Sequence, residues 1–166
     1  MSVSALLEMV RSAAATHGLN LVAAIPRERY DHGVAPHMRA QAFAPRARSI
    51  IVIGNGGGAF WRHFIDHTKR HPEWLKHQHP LDDFTQRTVE LEIAAPLRAH
   101  GSDCATVFPF MSGAASLNFM LLARLAGLAG PSIIGVTVHP RFGPWIAFRA
   151  ALLIDEELDE PGIALG

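Results

Sequence analysis

One cysteine, Cys104, stands in 166 residues. A lone thiol excludes an internal disulfide, and this chain by itself cannot assemble a cysteine-ligated iron–sulfur cluster or a Cys-rich zinc site. The residue sits in the apolar run CATVF, where a small buried side chain is a plainer reading than a nucleophile. No G-x-S-x-G elbow offers a serine in its place. Charge of one sign is missing too: 15 basic and 15 acidic side chains cancel, which leaves neither a field nor a basic stripe to attract a nucleic-acid duplex. No apolar run approaches the ~20 residues of a membrane span, and Glu8 and Arg11 interrupt the N-terminal segment. The expected location is therefore the cytoplasm. The carboxylates form no acid/base pair: Asp82 and Asp83 read as first-turn residues of a helix, and 155–160 as a solvated acidic tail. Hydrolase chemistry has no residues to carry it, and no catalytic side chain can be named.

What is present describes a core. At 49% hydrophobic and 18% charged, residues 1–166 read as one globular domain. Val3, Leu6, Leu7, Val10 and Ala14 recur at helical spacing before Gly18, which predicts a helix over 3–16. A short strand over 19–25 ends at Pro26, and 26–48, rich in Pro, His and Arg, reads as a long loop of the kind that carries ligand contacts. The unbroken apolar run 49–53 suits a central strand covered on both faces. A helix over 59–70 is predicted with Trp61, Phe64, Ile65 and Thr68 on one side; another over 81–100 carries Leu81, Phe84, Thr88, Leu91 and Ala95 and bends at Pro96. A strand over 103–109 and a helix over 114–126 follow. Alternation on either side of Pro140-Arg141-Phe142-Gly143-Pro144 then predicts a terminal hairpin, 135–139 against 145–154. Helices alternating with strands imply an α/β or α+β domain whose mixed central sheet has helices on its faces.

Three clusters carry chemistry. Pleating puts Trp145 and Arg149 on one strand face. A guanidinium among apolar side chains must meet either a structural carboxylate or an anionic ligand, which it holds with two parallel bonds. Gly54, Gly56 and Ala59 fit the pattern G-x-G-x-x-A between a strand and a helix. The second parallel strand and acidic residue of a nicotinamide site do not follow. A loop opening toward a phosphate or corrin side chain remains, as does a tight turn that simply needs small residues. Of ten histidines, His63, His67 and His71 are spaced to share a helix face. With no acidic third ligand at a diagnostic spacing, and with Arg62, Lys69 and Arg70 among them, they read as a solvated polar face, and no metal site is expected.

The segment IIGVTVHPRFGPWIAFRAALLI resembles the matching strand–turn–strand of CblC-type cobalamin-processing proteins. Its His-Pro-Arg-Phe-Gly-x-Trp pattern also resembles the cobalamin-binding domain of epoxyqueuosine reductases. Weaker likeness runs through SIIVIGN, HPLDDFTQRTVELEI and ARLAGLAG. The resemblance implies a nitroreductase-like, CblC-like fold that holds a cobalamin, base-off, between sheet edge and helices. It implies a pocket shaped by His139, Arg141, Phe142, Gly143 and Trp145, with Gly54 and Gly56 beside it. In CblC-like proteins the chemistry is reductive decyanation or dealkylation with arginine-bound glutathione, and the arginine of W-x-x-x-R matches Arg149, the candidate for an anionic co-substrate. Pro109, Phe110 and Met111 stand where epoxyqueuosine reductases carry an aspartate proton donor, and Arg124 stands where a histidine is expected. Those reductases also continue into a Cys-rich, ferredoxin-like region, so this chain reads as a corrinoid module that such a region could follow.

Three functions are thus open. The first is a corrinoid-binding domain, in cobalamin processing or in a B12-dependent reductase, whose partners would be the corrinoid, an anionic thiol or an electron-donor protein. The second is a flavin- or nicotinamide-dependent reductase on the nitroreductase-like fold. The third is a non-catalytic homodimerisation domain with Trp74 and the histidines in its interface.

Overall fold

The computed structural model describes residues 2–158, so the last residues of the predicted acidic tail, 159–160, lie outside the description. At its centre is β2 (Ser49–Gly56), buried along its whole length. It pairs antiparallel with β1 (Leu21–Pro26) on one side and β6 (Ile146–Ile154) on the other, and β3 (Cys104–Val107) pairs antiparallel with the outer edge of β6. The order β1-β2-β6-β3 places the most apolar run between two partners, so its amides and carbonyls are satisfied on both edges while both faces bury side chains.

Alternation divides those side chains between two cores. Ile51, Ile53, Ala150, Leu152 and Ile154 face α1 (Val3–Thr16), α3 (Ala59–Arg70) and α4 (Pro80–Val89), and meet Leu6, Val10, Phe60, Phe64 and Phe84. Ile50, Val52, Ala151 and Leu153 face the other way, onto Tyr30 of α2 (Arg27–Asp31) and Leu122 of α6 (Phe119–Leu125). Each fully buried Ile or Leu of this kind is worth about 1.5–3 kcal/mol. Tyr30 also ties the second layer together, because its hydroxyl accepts from the Asn118 amide at 2.9 Å.

The α+β class, a central sheet and the flanking helices are as the sequence implies, but the sheet is antiparallel throughout rather than mixed, and three further details differ. The long helix does not only bend at Pro96. Its continuation is a π-turn, Glu90–Ala94, followed by α5 (Ala95–Ala99), and the widened turn rotates the buried stripe. Ile93, Ala94 and Leu97 point inward, whereas Leu91, on the predicted stripe, is exposed. On α3 the buried residues are Phe60, Phe64, His67 and Thr68, so Trp61 faces out. The 26–48 segment is more ordered than a loop: α2 and two 3-10 turns run through it, and the carboxylate of buried Asp31 accepts from the Ala40 amide at 2.7 Å.

The terminal hairpin needs a larger correction. β5 (Thr137–Val138) pairs with β4 (Gly130–Pro131), not with β6, and between 139 and 145 only a single bridge, His139 to Gly143, closes. β6 is captured by β2 instead, where eight residue pairs bury apolar side chains on both faces, a gain that an exposed hairpin cannot match.

Asn20 extends the β1 edge with its side chain: its amide donates to the Gly56 carbonyl at 3.1 Å, and its oxygen accepts from the Gly56 N–H at 2.7 Å. Above Gly56 lies the Phe142 ring, so near that a Cβ at Gly56 would sit 2.1 Å from it. Gly56→Ala should therefore expel the ring and lower unfolding stability by about 1–3 kcal/mol, the usual cost of overpacking. Gly58→Ala, whose nearest obstacle is the flexible end of Arg62 at 3.3 Å, should cost less. Urea midpoints of the two variants make the comparison.

Candidate functional site

The 139–145 turn is built from within. His139 and Gly143 exchange backbone hydrogen bonds of 2.9 and 2.8 Å, and Gly143 adopts φ +57°, a conformation that favours glycine. The His139 ring fills the loop: Nδ1 accepts the amides of Arg141 and Phe142 at 3.0 and 3.3 Å. Accepting at Nδ1 requires the ring to be neutral with its proton on Nε2. Burial, helped by the Arg141 charge, holds the His139 pKa below the ordinary histidine value. Phe142 then plugs the space over Gly56, the Trp145 amide donates to the Phe142 carbonyl at 3.1 Å, and the Gly57 amide donates to the Trp145 carbonyl at 2.9 Å. Arg141 lies over the Phe142 ring at 5.2 Å.

Docked in this way, the turn and the start of α3 enclose an open cleft of about 530 Å³, lined by Asn55, Gly57, Gly58, Trp61, Pro144, Trp145, Ile146 and Ala147. Its walls are two aromatic rings left largely in solvent, Trp145 at 78% and Trp61 at 53% exposure. Its floor is backbone. Large apolar rings exposed along one cleft are costly in water and mark a surface built to be covered.

A β-bulge sets what lies behind the floor. Ile53 pairs with Ala150 and Gly54 with Phe148, so Arg149 is the extra residue of β6. The bulge switches the alternation: Phe148 and Ile146 join the α2/α6 core, and Arg149 turns to the α3 side, its guanidinium over the Phe60 ring at 5.0 Å. There Nε donates to Asn55 Oδ1 at 2.7 Å. Burial lowers the pKa of Arg149, while the charge of Asp82 acts to raise it. Among the described residues no carboxylate comes within ion-pair distance of it.

The sequence-derived residues therefore separate into four positions. Trp145 lines the cleft. His139, Arg141, Phe142 and Gly143 build the turn that carries it. Gly54 and Gly56 lie inside β2, where a Cβ would strike the Ala147 carbonyl at 2.7 Å and the Phe142 ring at 2.1 Å, and the residues that open to the cleft are their neighbours Gly57 and Gly58. Arg149 stands one layer behind, reaching the cleft wall through Asn55. The Rossmann reading of the glycine cluster loses its structural basis, because β2 is flanked by antiparallel strands and GNGGGA belongs to no parallel strand–helix–strand unit. Asn55, Trp61 and Phe60 were not foreseen as site residues. A polar side chain between two glycines at a strand end was the available signal for Asn55.

Two other expectations bear on chemistry. Cys104 is buried, and desolvation pushes its thiol up to about 12, which removes it as a nucleophile. The 63/67/71 histidine face is not simply solvated: His67 is buried against Phe84 and the edge of Trp74, and the row borders a cleft toward α4. Trp74, half-buried, stacks on His77. No group of residues suited to a metal ion occurs among the described residues, and no helix there is long and apolar enough to cross a membrane.

No protein-family model and no curated protein matches the chain. Solved structures do. The B12-trafficking protein CblC of C. elegans superposes with a TM-score of 0.68 over 98% of this chain and 76% of its own, at 14% identity. Epoxyqueuosine reductase from Streptococcus thermophilus gives 0.63 at 9% identity, over 95% of this chain and 48% of its own. A reductive dehalogenase whose structure concerns B12-dependent dehalogenation gives 0.53 at 20% identity, over 96% and 20%. The chain thus spans about half the epoxyqueuosine reductase and a fifth of the dehalogenase. At these identities the likeness is one of fold, and it is the fold the sequence resemblance implied.

The depressed His139 pKa has a measurable consequence. In the unfolded chain histidine takes up a proton near pH 6.5, whereas folded His139 resists it. The stability this contributes is full above about pH 6.5 and falls as pH drops toward the lower folded value. His139→Asn keeps an acceptor at the δ1 position and removes the titration. Urea midpoints at pH 7.5 and 5.5 should differ less for His139→Asn than for the wild type.

Proposed function

We propose that this chain is a corrinoid-binding domain, serving reductive cobalamin processing or acting as the cofactor module of a B12-dependent reductase. The observation that carries the reading is the cleft between Trp61 and Trp145, floored by glycine backbone and edged by Asn55. A corrin presents a flat apolar face and a rim of amides. Two exposed indoles fit the face, while backbone groups and the Asn55 carboxamide fit the rim. No histidine is among the residues lining the cleft, and His139 Nδ1 is already engaged by the turn. The cleft would therefore seat the corrinoid without an imidazole from these residues, and the base-off state is what the sequence resemblance implies. When bound, the cofactor would supply the cobalt redox chemistry. The side chains of this domain would seat it, orient it and exclude water from one face.

Arg149 extends the reading to a co-substrate. Asn55 and Phe60 hold the guanidinium in place from its Nε edge and one face, and among the described residues no carboxylate neutralises it. An anionic thiol donor would complete its hydrogen bonding. The CblC fold and the sequence resemblance support this reading, and so does the turn: its residues build the wall that carries Trp145.

Visible-absorbance titration with hydroxocobalamin and cob(II)alamin is the test. A saturable band shift marking loss of the lower axial base is expected. Trp145→Ala, at an exposed position, should weaken it by about tenfold or more, consistent with the 1–3 kcal/mol typical of a lost stacking partner. Arg149→Gln should leave corrinoid affinity largely intact and raise the thiol concentration needed for turnover. A titration without a shift, on protein that copurifies with flavin, would transfer the cleft to the flavin-dependent alternative.

A further inference from the structure

Away from the tryptophan cleft, the end of α1, the outer face of α3 and the middle of α4 enclose a second cleft of about 240 Å³. We propose that it is a binding site for a phosphate-type oxyanion, either free or as the phosphoryl group of a small metabolite.

His17, His63, His67, Arg70, His71 and Arg87 line this cleft together with one carboxylate, Glu92, so donors and permanent cations outnumber the single acid. Glu92 in the lining and Glu73 just outside it each already have a histidine: Glu92 lies 3.6 Å from His17 Nε2, and Glu73 lies 3.4 Å from His71 Nδ1. The arginines are left over. Arg70 spends only its Nε, on the Asp66 carbonyl at 3.2 Å, and among the described residues neither Arg70 nor Arg87 pairs with a carboxylate. Two uncompensated guanidinium groups from different helices, converging on one cavity, are arranged to bind a dianion from two sides.

His67 adds an independent sign. It is only 8% exposed, and its buried Nε2 has no hydrogen-bond partner. A polar atom removed from water without a partner costs free energy that a ligand could recover. Burial, together with the charges of His71, Arg87 and Arg70, lowers its pKa, so it serves as a neutral donor and the arginines supply the charge. Thr88 adds a hydroxyl to the lining and Phe84 an apolar wall. A tetrahedral anion with several acceptor oxygens uses convergent donors of this number better than a single planar carboxylate does.

Isothermal titration with inorganic phosphate, followed in parallel by the His67 ring resonances, tests the site. Saturable binding with a Kd of about 1 mM or tighter is expected. Arg70 and Arg87 are exposed, so Arg70→Gln and Arg87→Gln should fold normally. Each should weaken binding by about tenfold, in line with the loss of a charged hydrogen bond, and the double variant should abolish it. Arg62→Gln, on the same helix but outside this lining, should bind like the wild type. Tighter binding of ribose 5-phosphate than of phosphate would identify a metabolite phosphoryl group, and equal binding would identify the free ion. Absence of saturable binding, or undiminished binding in the double variant, overturns the proposal. The double variant should keep its hydroxocobalamin response, so failure of either site is read separately from the other.

Discussion

The pairing of β2 with β6 is the constraint on which the rest of this structure hangs. Eight residues of a fully buried strand meet nine residues from the far end of the described chain, and their alternating side chains supply the central rows of both cores. Among the described residues no helix has two buried faces of its own, so each depends on that sheet for an apolar surface to cover. The pairing also fixes the site, because the same two strands, followed past Ile53 and Ala150, become the floor of the tryptophan cleft.

Where the pairing is perfect it makes core, and where it slips by one residue it makes a site. The bulge at Arg149 removes one residue from the ladder and delivers a guanidinium to the helical face, where regular alternation alone would have left it without Asn55 opposite. The turn that follows needs almost nothing from the remainder of the fold. It closes through its own backbone and through the imidazole of His139, and it is fastened to β2 by one ring in the gap above Gly56. A rigid unit held by that ring and by the Gly57–Trp145 backbone bond keeps Trp145 out in solvent without sacrificing order, the condition for an aromatic wall that must be ready before its ligand arrives.

How much of this could be read from the residues follows from the range of each interaction. α1 and α3 were legible to the residue because helical periodicity and capping are local, and the run 49–53 marked its own strand because only a doubly covered strand tolerates five consecutive apolar or small residues. The π-turn left no local mark, so Leu91 looked inward and is not. Asn118 caps α6 by accepting from the Leu121 amide, which shortens the helix predicted over 114–126. The strand that β6 would choose was illegible, since 135–139 and 49–56 are both acceptable partners by pattern and only the comparison of buried area separates them. The turn motif announced a site through its Pro, Gly and Trp, but the division of labour within it, four residues building and one facing outward, is a property of the docked loop. The glycines were read as making room for a ligand, and Gly56 makes room for Phe142.

The strand order carries a consequence for how the molecule comes into being. β6 is the last of the described strands in the chain and an inner strand of the sheet, so during synthesis β2 has one open edge, and β3 has no partner at all, until nearly the whole domain has left the ribosome. The contacts that unite the sheet join residues close to a hundred positions apart, as between Ser49 and Ile154, and such closures are slow. A nascent chain of this protein must therefore carry an exposed edge of Ser-Ile-Ile-Val-Ile from the emergence of β2 until β6 follows, the kind of strand that pairs with its neighbours on a polysome if it is not shielded. Its demand on chaperones is set less by its stability once folded than by the distance along the chain from β2 to β6.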